Sequence, residues 1–192
     1  PTIPGESALD FYTQFSNQTS SMYTWNRSLP SSINSFLSGN LAIYIGFASE
    51  LFQIRQKNSN LNYDVGLVPQ VKDSPKKIVF GHMLGFAITK QSKQIAGAFA
   101  VINALTNPDS LLALEKITSL PPVRRDMLAN IPSDAYRSVF YKSALISHSF
   151  IDPSPLETSK TFMNMVDSVT SGRSRVTDAL DRASSELDSE LK

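Results

Sequence analysis

Leu9, Tyr12 and Phe15 recur at i, i+3 and i+6, which predicts a first helix with Ser7 as its cap. A polar loop over residues 16–21 separates it from 22–26, which holds the single tryptophan, Trp25. Pro30 and Ser32 open a second helix, with Ile33, Phe36 and Leu37 at helical spacing and Ser38, Gly39 and Asn40 as its stop. Residues 41–45 then form a nearly continuous apolar run, the length of one buried strand. Gly46 permits a sharp turn, and Ser49 is placed to cap a helix carrying Leu51 and Ile54 that ends at Asn58, Ser59 and Asn60. Strand, glycine turn and helix in that order put Phe47, Ala48 and Ser49 at the carboxyl end of a strand. Open α/β sheets hold their ligands there.

Residues 61–69 read as a strand entering a crossover, and 71–77 as a charged, proline-containing loop. A second apolar stretch, 78–89, is interrupted by Gly81 and Gly85. Ile95, Phe99, Ile102 and Leu105 mark a helix that Asn107 ends. Asn107 and Pro108 start the next, with Leu111, Leu112, Leu114 and Ile117 apolar. A helical stretch over 139–145 and a proline-braced loop over 150–155 follow. Phe162, Val166 and Val169 define a helix stopped by Ser171 and Gly172, and Val176, Leu180, Ala183 and Leu187 line one face of the last. The expected fold class is α/β and helix-rich, with strands at 41–45, 63–68 and 78–89.

With 192 residues, 41% of them hydrophobic, the chain can bury a sizeable core in one or two domains. Net charge is +1 with acids and bases interspersed, so no basic stripe points to a nucleic-acid partner. Cysteine is absent, which excludes disulfides, thiolate metal sites and cysteine nucleophiles. No run approaches the ~20 apolar residues of a membrane span. The residues after Pro1 lack the charged and apolar regions of a signal peptide, and a start at Pro1 reads as a fragment or processed product.

Catalysis finds little support. His82 and His148 lie far apart without metal-ligand spacing, and no nucleophile elbow or phosphate-binding loop is present. Neither an enzyme, a cofactor nor a metal site is expected. Binding of a sugar or small polar solute fits better, because sugars present apolar ring faces edged by hydroxyls. Trp25 and Phe47 are the candidate platforms, with Asn26, Ser49 and Glu50 as hydrogen-bonding neighbours.

The stretch around Phe36, Gly39, Ala42, Ile43, Gly46 and Phe47 also resembles the signature of the family 1 extracellular solute-binding proteins of ABC importers, the maltodextrin-binding type. Segments at 61–69, at 85–93, around Leu120–Pro121 and Arg124, and at 171–180 resemble the family in the same order. The resemblance implies a periplasmic-binding-protein-like fold of type II, present as the C-terminal portion of a two-lobe protein whose N-terminal half is absent. Residues 1–67 and 120–192 would form most of one lobe, and 68–119 a segment of the other with hinge crossovers. It further implies a small-molecule ligand, carbohydrate by class, an interlobe cleft that closes by hinge bending, and ABC permease subunits as partners. The location would be extracellular or periplasmic, with membrane anchoring through the N-terminus. His82 falls where the family approaches hinge and cleft, and Asp152 and Ser154 where members present a further cleft residue. The chain departs from the pattern at Phe47, where the family carries tryptophan. The competing reading is a helix-rich protein–protein interaction or scaffold module that docks through the amphipathic helix over 174–192.

Overall fold

Thr2, rather than Ser7, opens the first helix. In the computed structural model, which describes residues 2–190, the Thr2 hydroxyl accepts a hydrogen bond from the Gly5 amide at 3.3 Å. Pro4 sits in the first turn, where its missing amide proton is no loss. The resulting α1 (Ile3–Thr13) continues into a 3-10 turn over Gln14–Ser16. The chain divides into two compact units. One takes the described residues up to Ser31 and from Phe150 to 190, and the other spans Ser32–Ser149.

In the first unit α1 packs with α8 (Pro155–Thr170) and α9 (Val176–Glu190). Gly172, at φ +72°, supplies the left-handed residue that ends α8. Leu9, Ala179 and Ala183 are buried at the centre. The stripe of Phe162, Val166 and Val169 is not the buried side of α8, and Phe162 is 41% exposed. Thr158, Thr161 and Ser168 are buried instead. Ala179 and Ala183, one turn apart, let α8 approach closely, and short hydroxyl side chains fill the narrow seam. Each hydroxyl is satisfied: Thr158 donates to Asp152 at 2.8 Å, Thr161 to Glu186 at 3.0 Å and Ser168 to the Met165 carbonyl at 2.8 Å. Ala179 is 2% exposed, so Ala179→Leu overpacks the seam and costs about 1–3 kcal/mol. Thermal melting of the variant should show a loss of several degrees, and an unchanged midpoint would mean the seam is not tight.

Just under half of the second unit is helical. It contains α2 (Ser32–Leu37), α3 (Leu51–Lys57), α4 (Ile95–Thr106), α5 (Pro108–Thr118), α6 (Arg125–Leu128) and α7 (Ala135–Leu145). The boundary signals at Gly39 and Asn107 act as the sequence predicts. Gly39 has φ +77°, and the Asn107 side chain accepts from the Ser110 amide at 2.9 Å. Leu51, Ile54, Leu111, Leu128 and Tyr141 are buried. An aromatic ladder runs beside them. Phe36 stacks on Tyr44 at 5.6 Å, Tyr63 meets Phe36 at 5.9 Å and Tyr136 at 5.6 Å, and the Arg55 guanidinium lies over the Tyr136 ring at 5.2 Å. The Tyr136 hydroxyl donates to the Tyr63 carbonyl at 2.8 Å.

The strands are the main departure from expectation. Among the described residues, pairing is confined to β1 (Val79–Phe80) and β2 (Ser147–His148), parallel, with Val79 opposite Ser147 and Phe80 opposite His148. Residues 41–45 form no strand, and Ile43 and Ile45 are 77% and 71% exposed. Residues 63–68 are likewise unpaired, and of 78–89 only two residues pair. An apolar run becomes a sheet strand only where a neighbour completes its ladder of hydrogen bonds, and these runs have none beside them. Close approach of the two short strands depends on Gly81, since a Cβ there would lie 2.7 Å from that of Ser147. The fold is therefore helix-rich, 52% helical, with one small sheet.

Candidate functional site

Two clusters, one in each unit, collect most of the candidate residues. In the first unit an open cleft of about 260 Å³ is bounded by the 3-10 turn, the loop after it and the end of α8. The Thr24 and Trp25 amides both donate to the Phe15 carbonyl, at 2.8 and 3.3 Å, which pins the loop under the helix end. Trp25 packs against Tyr12 with ring centres 5.9 Å apart and is half-buried, and the indole lines the cleft. Asn26 lines it too. Its side-chain oxygen accepts from the Ser28 amide at 2.8 Å, and its amide donates to the Tyr23 hydroxyl.

Three charged residues of this cleft escape sequence reasoning. Arg27 holds Asp167 through two contacts, Nε to Oδ1 at 2.7 Å and an ion pair from Nη2 to Oδ2. The Asp167 side chain is only 16% exposed, so the pair ties the loop to α8. Arg173 follows in the turn after α8, its Nε donating to Ser171 Oγ at 2.9 Å. No local pattern announces partners 140 residues apart. Asp152 and Ser154 belong to the same unit but do not line the cleft. Asp152 accepts from the Ser154 amide at 3.1 Å and the Thr158 hydroxyl at 2.8 Å, which ties down the start of α8.

In the second unit Phe47, Phe80 and His82 form an exposed three-ring patch. His82 lies 5.1 Å from Phe47 and 5.0 Å from Phe80, edge to face in both cases. Phe47 and Phe80 remain 45% and 53% exposed. The turn that presents Phe47 is held by Glu50. Its Oε1 accepts from the Tyr44 hydroxyl at 2.9 Å and its Oε2 from the Phe47 amide at 2.6 Å. Ser49 is not a helix cap. It lies inside the 3-10 turn Ala48–Glu50, exposed, and Glu50 closes that turn. Gly46 is required here for space, because a Cβ would come within 2.6 Å of the Tyr44 ring and collide with the Glu50 carboxylate.

Burial, and after it the hydrogen bond to Glu50, pushes the Tyr44 phenol from 10.0 up to about 12. A folded-state value above the unfolded one means that the stability it carries is complete below pH 10.0 and is lost as pH rises toward about 12. Spectrophotometric titration should show one phenol ionising late. Tyr44→Phe removes that step, and Glu50→Gln brings it back toward the ordinary range.

The sequence profile of the bacterial extracellular solute-binding proteins matches residues 2–140. The chain belongs to that family. No curated protein matches it. Membership gives the protein a small-molecule ligand and a transporter partner, and implies an extracellular or periplasmic location. Proteins of this family generally bind solutes without transforming them. Among the described residues no helix is long and apolar enough to cross a membrane, and no group of three or more acidic or histidine side chains could hold a metal ion. The matched region of this solute-binding protein includes Trp25, Asn26, Phe47, Ser49, Glu50 and His82, and ends before Asp152, Ser154, Asp167 and Arg173.

Proposed function

We propose that this solute-binding protein captures a sugar or similar small polar solute for an ABC importer of the maltodextrin-binding type and delivers it to the permease subunits. The observation that carries the reading is the family match over residues 2–140, and the cleft of the first unit adds a half-buried tryptophan beside Asn26. An indole face with hydrogen-bonding groups at its edge matches a sugar ring. Phe47 and His82 offer a second aromatic surface in the other unit, with Ser49 exposed beside it. Glu50 supports that surface through Phe47, and Asp152 and Ser154 set the start of α8. In this reading the fold is type II, residues 1–67 and 120–192 serve one lobe and 68–119 the other, and hinge bending closes the protein on its ligand.

Thermal melting against mono- and oligosaccharides, amino acids and peptides tests the proposal. A solute at a hundred times its dissociation constant stabilises by about 2.7 kcal/mol. Saccharides should raise the midpoint by several degrees and reduce the radius of gyration in small-angle scattering. A shift with peptides alone, or with no solute, would refute the sugar assignment. The competing scaffold reading rests on the last helix, α9. Ala179 and Ala183 of that helix are buried where it packs with α8 and α1, which removes its docking face.

A further inference from the structure

We propose that His82 is the side chain that selects the solute, through a hydrogen bond between its imidazole and one hydroxyl of a saccharide. This rests on reading the protein as a saccharide binder. β1 and β2 run parallel, with Phe80 opposite His148, and the Gly81 amide donates to the His148 carbonyl at 3.1 Å. His82 therefore leaves the sheet one residue beyond that bond, at the carboxyl end of the pair. Open α/β sheets hold their ligands at this end. The imidazole contacts two phenyl rings, 5.1 Å from Phe47 and 5.0 Å from Phe80, and those two lie 6.3 Å apart. Each ring touches the other two, which limits the orientations of the imidazole before a ligand arrives. Phe47 comes from the segment 1–67, and Phe80 and His82 from 68–119. The proposed reading gives those segments to opposite lobes.

The carboxylate beside this cluster is already spent. Glu50 accepts from the Tyr44 hydroxyl and from the Phe47 amide, so it holds the turn and not a ligand. The His82 side chain is exposed and makes no hydrogen bond among the described residues. A neutral imidazole donates from one nitrogen and accepts at the other, and a hydroxyl can complete either bond. Phe47 and Phe80, 45% and 53% exposed, add apolar faces next to it. A sugar matches both halves of this surface, with its C–H faces on the phenyl rings and a hydroxyl on the imidazole. A purely apolar solute would cover the imidazole nitrogens and leave them unpaired, which costs affinity. An inorganic ion would leave the phenyl rings uncovered. Gly81 fixes the place of the imidazole. A Cβ there would lie 2.7 Å from that of Ser147, so glycine keeps the strands paired right up to His82.

Isothermal titration of the whole chain with glucose, galactose, mannose and maltose, and with the monodeoxy analogues of the tightest of them, tests the assignment. Loss of one particular hydroxyl should cost the unaltered protein about tenfold or more in affinity. His82→Leu should weaken the complete sugar by the same factor, and that one analogue should bind both proteins alike. His82→Gln keeps a donor and an acceptor and should recover part of the affinity. The exposed position lets both variants fold, which melting of the free proteins checks. The selector is overturned if His82→Leu binds the complete sugar as tightly as the unaltered protein does. It is equally overturned if the unaltered protein ignores every single deoxy change, or if His82→Leu weakens the sugar and all its analogues by one common factor. A merely structural role acts on all of them alike. In those three cases saccharide binding itself stands. If none of the four sugars binds, the selector and the saccharide reading fail together.

Discussion

Arg137→Ala destabilises the second unit by about 3–5 kcal/mol, the range for breaking a buried ion pair from one side. Glu115 sits on α5 with its side chain 8% exposed, paired with Arg137 at the start of α7. Truncating the arginine leaves a carboxylate buried without counter-charge, and that desolvation is the source of the loss. The Arg137 side chain is 36% exposed, so water reaches part of the vacated site and the lower end of the range applies. The midpoint should fall by roughly 10 °C. The helix cap is not the cause, because the Asp134 side chain accepts from the backbone amide of Arg137, at 2.7 Å in the parent, and truncating the side chain does not remove that donor. Arg137→Met combined with Glu115→Leu should recover most of the loss, since replacing both charges by apolar groups is often neutral. If the double variant is no better than Arg137→Ala alone, the contact contributes packing rather than charge.

Helix boundaries were legible because local chemistry sets them. Gly39, Asn107 and Gly172 act through their own backbone or through a neighbour three residues away, and all three stand where the sequence places them. Strands were not legible, because a strand is a property of two segments. Residues 41–45 have the composition of a buried strand, yet Ile43 and Ile45 face solvent, while Leu41 and Tyr44 are half-buried and Tyr44 stacks on Phe36. The buried face of α8 was misread for a related reason. Periodicity selects the apolar residues of one helix, whereas the seam is decided by the alanines of α9, which favour threonine and serine opposite them.

The same division runs through the candidate site. Trp25 and Phe47 stand out from sequence by residue type, and the structure places each at an accessible surface with aromatic neighbours. Arg27, Asp167 and Arg173 do not stand out, because a charged residue on a polar stretch is ordinarily a solvated one. Only the return of α8 to the loop around Trp25 brings them to one cleft. Glu50 shows the converse. It sits beside Phe47, but both its oxygens already hold the turn that presents that ring.

Trp25→Ala should weaken saccharide binding by about ten- to a hundredfold. An aromatic face covered by a ligand contributes roughly 1.5–3 kcal/mol of burial, and each 1.4 kcal/mol is about a factor of ten in the dissociation constant. The indole also packs on Tyr12, so truncation loosens the loop and lowers the midpoint of the free protein. Binding loss and fold loss are separable by comparing the ligand-induced shift, not the absolute midpoint, between parent and variant. Trp25→Phe sharpens the comparison, because it keeps a stacking face and removes the indole N–H. Recovery of most of the affinity in that variant assigns the effect to stacking, and no recovery assigns it to the hydrogen bond. Phe47→Ala supplies the contrast in the other unit. Its ring touches Phe80 and His82 and is 45% exposed, so a stability loss near 1 kcal/mol is expected. A comparable fall in affinity would make the Phe47 surface a contributor to binding in its own right. Full affinity in Phe47→Ala, with loss in Trp25→Ala, would confine recognition to the cleft that Arg27 and Asp167 hold in shape.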